Sequence, residues 1–408
     1  MQHPLFSNTE IQQFIFEFNP KNIDALHFGK PLFDAISNSE LAAQIERRAH
    51  IQHKLPSWYS KLNIIYPPKS NLAQSSSELT AQKKSNLLKE LVKELRISTN
   101  IGADLTSGFG VDAHFMSTLF ERFVSVEPNK ELLELQKHNS KSFELSNRTF
   151  HLSKAFEFLA QPFDVLYIDP SRRDEHQKQL IELNHCIPDC ILNYNQLSSN
   201  SDLFLIKASP MVDISQSLRM LPHCFRVDLI TVHFELKEIL FFNAKTKSNS
   251  NPEIHIHHYR KDRLQWSEFK FNKTQNEKNE ISISPLNDFL FEPHPGMMKA
   301  RCSSQITSRF DCAALERNTH LYTAAEDRVL FEGRRFKVIS HFPFSKRNMK
   351  FLVGGHFHVI SKNFKLSVHE IRRQFKIKEG KNEYLFFTQE SEPIVIRAIR
   401  VDRIEIEN

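Results

Sequence analysis

Two glycines lie close together in a chain that has few of them. Gly108 and Gly110 stand in the segment DLTSGFGVDAHFM, residues 104–116, and the 408 residues contain only nine glycines. Glycine lets the backbone turn sharply and lets a ligand lie against it, while amides at the start of a following helix face that ligand. The spacing is neither that of a P-loop nor that of the G-x-G-x-x-G dinucleotide fingerprint. The segment therefore indicates either a ligand-binding loop or only a tight structural turn.

An acidic residue further along the chain favours ligand binding. The apolar stretch FVSV ends in Glu127. If this stretch is the second strand of a sheet, the two carboxylate oxygens at its tip can accept hydrogen bonds from both hydroxyls of a ribose. A glycine loop, a helix and an acidic strand tip together form the pattern of a site for a nucleoside-containing cofactor.

The elements that must position these residues can be predicted from apolar runs of strand length that alternate with amphipathic segments. The runs are ISTNIGA, FVSVE, RTFHLS, DVLYIDP, DLFLIKASP and RVDLITVHF followed by KEILFF. Short buried strands that alternate with helices indicate βαβ units and a parallel sheet. Both the glycine loop and Glu127 then lie at the carboxyl edge of that sheet, where doubly wound folds bind ligands.

The flanking regions have different character. Residues 1–80 are predicted to be helical, with SELAAQIERRAHIQ as the clearest amphipathic segment. The polar stretch NKTQNEKNE, residues 272–280, is predicted to be a surface loop. A short mixed segment follows, from FLFEPHPGMMKARC to HLYTAAE, and then a basic zone from Phe331.

Charge is distributed unevenly along the chain. Residues 96–245 contain 15 lysines and arginines against 19 carboxylates, a net charge of −4, whereas residues 331–408 contain 16 against 9, a net charge of +7. The last fifth of the chain therefore carries more than the whole excess of +6. This asymmetry is typical of a polyanion-binding module joined to another domain, although a solvated basic face would give the same count.

Cysteine usage and hydropathy limit the class of protein. Five cysteines form no C-x-x-C pair, so we expect buried, reduced thiols and no disulfide or metal framework. No apolar run approaches the ~18 residues that cross a bilayer, and residues 1–10 lack a signal-peptide pattern. We therefore expect a cytoplasmic protein that does not contact a membrane.

Histidines in the run HIHHYRKD, residues 255–262, raise the question of a metal. His255 and His257 share one face of a probable strand, but no cysteine or acidic cluster is near them in the sequence. We therefore expect an exposed strand face and no metal site.

Several of these motifs together resemble a known family. DLTSGFGVDA, SVEPN and VLYIDPSRRD are similar to the first, second and fourth motifs of class I S-adenosylmethionine-dependent methyltransferases. NLAQSSSELTAQKK, CIPDCILN, LIKASPMVDI, FLFEPHPGMMKA and NTHLYT resemble a narrower bacterial group whose chains end in a THUMP-like domain, to which SKNFKLSVHEIRRQFKIKEGKNEYLFFT is similar. The resemblance extends over nearly the whole chain from Asn71.

The resemblance implies a fold and a domain order. The fold is α/β, with a Rossmann-like seven-stranded class I methyltransferase core, an N-terminal helical region and small C-terminal α+β domains. The implied domains are an N-terminal helical region at 1–80, a methyltransferase domain at 81–272, a small ferredoxin-like domain at 285–328 and a basic THUMP-like domain at 329–408.

The resemblance also implies S-adenosylmethionine as the cofactor and assigns residues to it. Asp104, Thr106, Gly108 and Gly110 would shape the loop around the methionine moiety, with Glu127 on the ribose. A side chain added at Gly110 is accordingly expected to intrude on the cofactor. Methyl transfer from a sulfonium needs no metal, because the cofactor carries the reactive group.

Other contacts at this end of the sheet are less specific. Ser153, or the backbone near Ala155, would meet the adenine, since the usual acidic residue is missing there. Asp112 lies at the start of the next helix and either joins the site or caps that helix. Residues 74–78 resemble a segment that closes over the cofactor, but SSSE is equally compatible with a loop and an N-cap.

By the same resemblance, DPSRRD faces the substrate. Asp169 and Pro170 follow the fourth strand, whereas Ser171 and Arg172 replace the second proline and the aromatic residue of the D/N-P-P-[YFW] motif found in many amino-methylating enzymes. This departure argues against methylation of the exocyclic amine of a flipped base. Arg172 and Arg173 could clamp a phosphate or carboxylate, or Arg172 could instead form a structural ion pair with a neighbouring aspartate.

Lys207 and Ser209, at the end of the fifth strand, are expected to line the same pocket. Lys207 could act as a base, contact an anion or only pack. Arg172, Lys207, Asp169 and Pro170 are thus the predicted catalytic residues.

In the basic zone, SVHEIRRQF is predicted to be a helix. Val368, Ile371 and Phe375 recur at helical spacing and should pack inward, so Arg372 and Arg373 should point outward. An outward basic face suits RNA.

Three functions remain open from the sequence. The first is a methyltransferase that acts on RNA, either rRNA or tRNA. The second is a cofactor-binding but non-catalytic RNA-binding or ribosome-assembly factor. The third is a methyltransferase for a small molecule or a protein.

Overall fold

The computed structural model describes residues 5–159, 161–171, 182–260, 264–380 and 382–401. The helices are α1 (Thr9–Glu17), α2 (Ile23–Phe28), α3 (Asn38–His50), α4 (Pro56–Ser60), α5 (Lys69–Gln74), α6 (Glu78–Leu95), α7 (Val111–Ser117), α8 (Lys130–Ser142), α9 (Ala155–Phe158), α10 (Tyr194–Ser199), α11 (Ile214–Met220), α12 (Lys273–Lys278), α13 (Pro295–Ala300), α14 (Ser303–Phe310) and α15 (Val368–Phe375). The strands are β1 (Ile101–Asp104), β2 (Arg122–Glu127), β3 (Arg148–Leu152), β4 (Phe163–Ile168), β5 (Ser201–Ala208), β6 (Cys224–Val232), β7 (Glu235–Asn243), β8 (Glu253–Arg260), β9 (Gln265–Asn272), β10 (Phe289–Pro293), β11 (Ala313–Ala314), β12 (Tyr322–Ala324), β13 (Gly333–Pro343), β14 (His358–Ser361), β15 (Glu383–Gln389) and β16 (Pro393–Arg400).

Two sheets organise these strands. The first has nine strands in the order β3-β2-β1-β4-β5-β7-β6-β8-β9, and the second has seven in the order β11-β12-β10-β13-β16-β15-β14. The predicted α/β class, with N-terminal helices and smaller C-terminal elements, is confirmed. The first sheet extends beyond the predicted seven strands, because β8 pairs with β6 and β9 pairs with β8.

The chain divides into two compact units. The first unit comprises Met1–Phe225 and Leu240–Asn249, and the second comprises Arg226–Ile239 and Ser250–Asn408.

In the first unit, strands β1 to β5 pair with one another in parallel, in the order β3-β2-β1-β4-β5. The residues of β4 and β5 are mostly buried, which explains why the sequence shows continuous apolar runs there. Parallel strands place all their carboxyl ends at one edge of the sheet. The loops after β1, β2, β4 and β5 therefore meet at that edge.

The N-terminal helices share a core with the loop after β1. Helix α3 begins with a capping box between Ser37 and Glu40 and buries Leu41 and Ile45. These apolar side chains belong to the same cluster as Phe109 and others from the loop region and α8. The helical region is thus packed against the part of the chain that carries the glycines.

Helix α6 connects that region to β1. Ser77 caps its N-terminus by accepting a hydrogen bond from the Thr80 amide, and the helix ends at Arg96 in the left-handed conformation. Its apolar residues face inward, and the same face carries Lys84, which is fully buried. A buried lysine needs a compensating partner, which the site supplies.

The second unit contains most of β6, the first part of β7, strands β8 and β9, and the seven-stranded sheet. In that sheet β14 and β15 are parallel, whereas the other neighbouring pairs are antiparallel. Helix α15 begins with a capping box between Ser367 and Glu370 and packs Ile371 and Phe375 into a core with β15 and β16.

Two expectations for this unit were wrong. Residues 272–280 were expected to be a loop, but Lys273–Lys278 forms helix α12. Val368 was expected to pack inward, but it is exposed because it is the first residue of α15 and lies outside the packed turns.

The cysteines and the helices can be compared with the expectations drawn from composition. The described cysteines are buried and are not joined in disulfides: Cys186, Cys190, Cys224, Cys302 and Cys312. Among the helices in the described ranges, each is too short or too polar to cross a bilayer.

Candidate functional site

A cavity of about 680 Å³ lies at the carboxyl edge of the parallel strands. It is lined by loop and strand-end residues of the first unit: Asn71, Gln74, Ser75, Ser76, Asp104, Thr106, Ser107, Gly108, Phe109, Gly110, Val111, Asp112, Glu127, Pro128, Leu132, Tyr167, Asp169, Pro170, Ser171, Ile187, Pro188 and Lys207. A larger open depression, of about 950 Å³, lies at the amino ends of β1, β4 and β5. The smaller cavity contains nearly all the predicted site residues, and α/β sheets bind ligands at the carboxyl edge, so we treat it as the site.

Both glycines adopt backbone conformations that favour glycine. Gly108 has φ +53° and Gly110 has φ +84°. A Cβ added at Gly108 would meet only the Thr106 carbonyl oxygen, at 3.9 Å, so the space beside this residue is open. The backbone at Gly108 is therefore accessible to a ligand in the cavity.

Gly110 lies close to another side chain of the protein. An added Cβ there would lie 2.7 Å from Gln136 Oε1 and 3.0 Å from two further Gln136 atoms. A side chain at Gly110 would therefore require Gln136 to shift, and the φ of +84° is strained for residues other than glycine. That such a side chain would also intrude on a cofactor stays a prediction, since Gly110 lines the cavity as well.

Gln136 and Arg148 hold the glycine loop in place. Gln136 Nε2 donates to Ser107 Oγ at 2.9 Å and to the Gly108 carbonyl at 2.7 Å. Arg148 donates to Gln136 Oε1 at 3.0 Å and to Ser125 Oγ at 2.7 Å, and burial lowers its pKa to about 10. Sequence reasoning missed both residues, since a glutamine on an amphipathic helix and an arginine at a strand start carry no distinctive signal.

Glu127 lies at the tip of β2, as predicted, and already binds two backbone amides. Oε2 accepts from Gly108 N–H and Oε1 accepts from Asn129 N–H, each at 2.9 Å. Its side chain is buried, and this burial raises its pKa. Each carboxylate oxygen retains acceptor capacity, and Glu127 lines the cavity together with the apolar Pro128 and Leu132.

Asp104 and Thr106 connect the ends of β1 and β4. Asp104 Oδ1 accepts from the Thr106 amide at 3.0 Å, and Thr106 Oγ1 accepts from the Asp169 amide at 2.7 Å. Burial raises the pKa of Asp104 well above its ordinary value, and the nearby carboxylates of Asp112 and Asp169 add to this effect. The predicted cofactor loop and the predicted substrate motif are therefore one connected structure.

Asp112 does not cap helix α7, whose N-cap residue is Gly110. Its Oδ2 accepts hydrogen bonds from Ser76 Oγ at 2.8 Å and from the Tyr167 hydroxyl at 2.7 Å. Its Oδ1 lies 3.0 Å from Lys84 Nζ, which also donates to Ser76 Oγ at 2.8 Å. The expected alternative of a helix cap was thus wrong, and the carboxylate instead joins the segment before α6 to the site.

Asp169 and Lys207, which both line the cavity, form an ion pair. The Asp169 side chain is one-third exposed, whereas that of Lys207 is mostly buried. Pro170 and Ser171 line the cavity next to them, and Ser171 exchanges two backbone hydrogen bonds with Ile187. The segment CIPDCILN therefore forms a second wall beside DPS, a role that its sequence did not suggest.

Three predicted residues are not part of the described cavity. Ser153 follows β3, but it is absent from the lining, and its hydroxyl donates to the Lys154 carbonyl at 3.1 Å. Ser209 is buried and accepts a hydrogen bond from the Met211 amide at 3.1 Å, so it stabilises a turn. Arg172, like Arg173, lies outside the described residues.

The histidines of β8 differ from the expectation of an exposed strand face. His255 and His257 are both buried, because β8 lies between β6 and β9. His257 Nε2 lies 2.8 Å from Asp228 Oδ2, and both ring nitrogens of His255 bond carboxylates, those of Glu253 and Glu268. These histidines form a buried polar network in the second unit.

Comparison with known proteins agrees with this architecture. A family described as a ferredoxin-like domain matches residues 289–331, and one described as THUMP domain-like matches residues 333–400. The crystal structure of a "putative methyltransferase" from Porphyromonas gingivalis W83 superposes with a TM-score of 0.81 at 23% identity, covering 99% of this chain and 100% of that one. The chain therefore has this methyltransferase-type fold, joined to a ferredoxin-like and a THUMP-like domain, as the motifs predicted.

A more distant similarity links part of the chain to a curated protein. An "Uncharacterized RNA methyltransferase" of Bacteroides thetaiotaomicron is 27% identical over 138 residues, which are 32% of this chain. The match spans about 30% of that protein's length.

Proposed function

We propose that the chain is an S-adenosylmethionine-dependent methyltransferase that acts on RNA. The observation that carries this proposal is the cavity at the carboxyl edge, where the open backbone at Gly108 and the carboxylate of Glu127 lie in the same cavity as the Asp169–Lys207 pair. The fold shared with the Porphyromonas gingivalis protein supports it.

The cavity fits the cofactor in charge and in shape. Among the described lining residues, the carboxyl groups of Asp104, Asp112, Glu127 and Asp169 outnumber the cations, of which Lys207 is the one present. Asp112 and Asp169 are paired with Lys84 and Lys207, and the carboxyl oxygens that remain can interact with a sulfonium or an ammonium group. We propose that the loop from Asp104 to Gly110 holds the methionine moiety and that Glu127 accepts from the ribose hydroxyls. The open space beside Gly108 is where the cofactor would lie against the backbone.

Pro128 and Leu132 are better placed than Ser153 to meet the adenine. Both line the cavity next to Glu127, and their apolar surfaces suit the face of a purine.

When bound, the cofactor supplies an electrophilic methyl group. We propose that Asp169 orients the acceptor and takes up the proton that the acceptor loses, while Lys207 fixes the Asp169 carboxylate. No cysteine is among the described lining residues, and burial raises the pKa of the neighbouring Cys190 well above its ordinary value, with the charges of Cys186 and Asp169 adding to the effect. The described lining residues therefore offer no thiolate nucleophile. This favours a nitrogen or oxygen atom as the methyl acceptor.

We propose that the basic C-terminal zone contacts the RNA, while the methyltransferase domain at 81–272 carries out the methyl transfer. Several of its cations are engaged in ion pairs: Arg334, Arg335, Lys337, Lys362, Arg372 and Arg397. A second set is exposed: Lys346, Arg347, Lys350, Lys365, Arg373, Lys376 and Lys378. Phe351, with 63% of its surface exposed, lies in the sequence next to Lys350 and offers a ring for base stacking.

The THUMP-like match at residues 333–400 supports an RNA partner, as does the partial similarity to an RNA methyltransferase. Arg372 was expected to point outward, but it is mostly buried and pairs with Glu379, so the proposed contact rests on Arg373 and its exposed neighbours.

Two measurements, made one after the other, test the proposal. Calorimetry should detect binding of S-adenosylmethionine or its demethylated product to the full chain without added divalent metal, and absence of both would refute the cofactor assignment. Mass spectrometry should then find one methylated nucleoside that is lost from total RNA of cells that lack the gene. Cofactor binding without any lost nucleoside would point instead to a non-catalytic factor or to a methyltransferase for another substrate.

A further inference from the structure

A second group of titratable side chains lies in the second unit and has no part in methyl transfer. His258, at the end of β8, His294, just before α13, and Glu332, just before β13, each place one possible ligand atom within 4.8 Å of those of the other two. The three residues come from distant parts of the chain. The His294 amide donates to the Glu332 carbonyl at 3.2 Å, which holds these two residues side by side.

The hydrogen bonds of His258 define where its lone pair lies. Its Nε2 is 2.5 Å from the carbonyl oxygen of His233. A carbonyl only accepts, so Nε2 carries the hydrogen, and Nδ1 of the neutral ring therefore carries the lone pair. Nδ1 has no hydrogen-bond partner among the described residues and lies 3.6 Å from Glu332 Oε2. Two acceptors thus face each other, and a cation between them would stabilise both.

His294 adds a second nitrogen without a partner. Its ring is only 1% exposed, it stacks on the His258 ring with centroids 4.3 Å apart, and its Nδ1 is buried without a hydrogen bond in the part of the chain described. A buried nitrogen left unsatisfied costs free energy. Glu332 is held by a hydrogen bond from Ser267 Oγ at 2.9 Å, and its side chain remains 22% exposed, which leaves an entry path from solvent.

We propose that His258, His294 and Glu332 bind a divalent transition-metal ion of the zinc class. Two imidazole nitrogens and one carboxylate oxygen are a usual donor set for Zn²⁺, and water would complete the shell. Ligand atoms on a tetrahedral Zn²⁺ lie about 3.3 Å apart, because each bond is about 2.0–2.1 Å long. The 3.6 Å between His258 Nδ1 and Glu332 Oε2 is close to this separation. The ion would tie β8 to the segments that precede α13 and β13.

The neighbouring group of Asp228, His255 and His257 is a poorer metal site, although its atoms are equally close. Arg226 donates to both Asp228 oxygens, each at 2.6 Å, so a cation already neutralises this carboxylate. Both nitrogens of His255 are also hydrogen-bonded to carboxylates. This second group therefore provides a matched control in the same unit.

The experiment uses the full chain, stripped with a chelator, and adds Zn²⁺ in a calorimeter and Co²⁺ in a visible absorption titration. We expect one equivalent of metal per chain, d–d absorption from Co²⁺ and a higher melting temperature with Zn²⁺. His294→Gln and Glu332→Gln should each weaken binding more than tenfold, whereas His255→Gln should leave it unchanged.

Each other outcome contradicts the proposal. No binding by the wild-type chain would mean that His258 and Glu332 form only an imidazolium–carboxylate pair. Binding that His255→Gln abolishes and His294→Gln leaves intact would place the metal in the Asp228 group instead. If either glutamine variant fails to fold, as judged by circular dichroism, the wild-type titrations with Co²⁺ and Zn²⁺ and the remaining variant still decide the question.

Discussion

Lys84 provides the sharpest test of how the site is built. This lysine is fully buried in helix α6, with Nζ 3.0 Å from Asp112 Oδ1 and 2.8 Å from Ser76 Oγ. Lys84→Met keeps a similar side-chain length and the apolar contacts but removes the charge. The variant leaves the Asp112 carboxylate buried at the cavity wall without its nearest cation.

The expected loss of stability follows from that geometry. Removal of one partner of a buried ion pair costs about 3–5 kcal/mol. We expect the lower end, about 3 kcal/mol, because Asp112 keeps hydrogen bonds from Ser76 and Tyr167. A change of 1 kcal/mol shifts the melting temperature of a unit of roughly 150–250 residues by about 2–4 °C, so Lys84→Met should lower that of the first unit by about 6–12 °C.

The pH dependence gives an independent check. Burial alone would raise the pKa of Asp112, but the charges of Lys84 and Lys207, with hydrogen bonds from Tyr167 and Ser76, hold it below its ordinary value. In the wild-type chain this stabilisation is therefore present above the unfolded pKa, about 3.9, and lost only in stronger acid. In Lys84→Met the pKa of Asp112 should rise, so the variant regains stability as pH falls from 7 toward 4. The difference in stability between the variant and the wild type should therefore decrease from pH 7 toward pH 4.

Differential scanning calorimetry at pH 7 and pH 5 measures both effects. Lys89→Met, at an exposed position of the same helix, is the matched control and should change stability by no more than about 0.5 kcal/mol. The double variant Lys84→Met, Asp112→Asn should recover part of the loss, because no uncompensated charge then remains. If Lys84→Met melts at the same temperature as Lys89→Met, the ion pair does not stabilise the site as we describe it. The same holds if the difference in stability between Lys84→Met and the wild type does not decrease in acid.

Three further predictions concern cofactor, acceptor and RNA. Asp169→Asn should lower kcat more than about 100-fold and leave the Kd for the cofactor within threefold; normal turnover on the natural substrate would remove this residue from the mechanism. Gly108→Asn should weaken cofactor binding at least tenfold with little change in Tm, whereas Gly110→Asn should mainly lower Tm through its collision with Gln136; calorimetry and melting that give the reverse order would contradict this assignment. The double variant Arg373→Glu, Lys376→Glu should weaken RNA binding and flatten its salt dependence by about one to two units of slope without changing cofactor affinity, and equal slopes would leave the basic face a solubilising surface.

Several features of the site were predictable because they depend on local chain chemistry. The positive φ angles of Gly108 and Gly110 and the position of Glu127 at a strand tip follow from glycine placement and from apolar runs of strand length. Parallel strands bring their carboxyl ends to one edge, so proximity between Asp104 and Asp169 could also be expected before the structure was known.

Other features depend on which side chains meet across the fold, and short-range patterns contain no signal for them. Lys84 has the sequence context of an ordinary helix lysine, yet packing places it opposite Asp112. Gln136 lies 26 positions after Gly110 in the numbering, yet its side chain is the one that an added Cβ would meet. The helical spacing predicts that Arg372 points outward, but Glu379, which lies beyond the end of the helix, forms an ion pair with it.

The sequence by itself determined the alternation of strands and helices, the glycine turn, the acidic strand tip and the basic C-terminal zone, because each depends on residue type and spacing along the chain. Only the tertiary structure decided the partners of Asp112, the closeness of Gln136 to Gly110 and the burial of His255 and His257. The physical reason is that burial in a low-dielectric interior makes charges and hydrogen-bonding groups depend on whichever partner is within about 3 Å, and that partner comes from a distant segment.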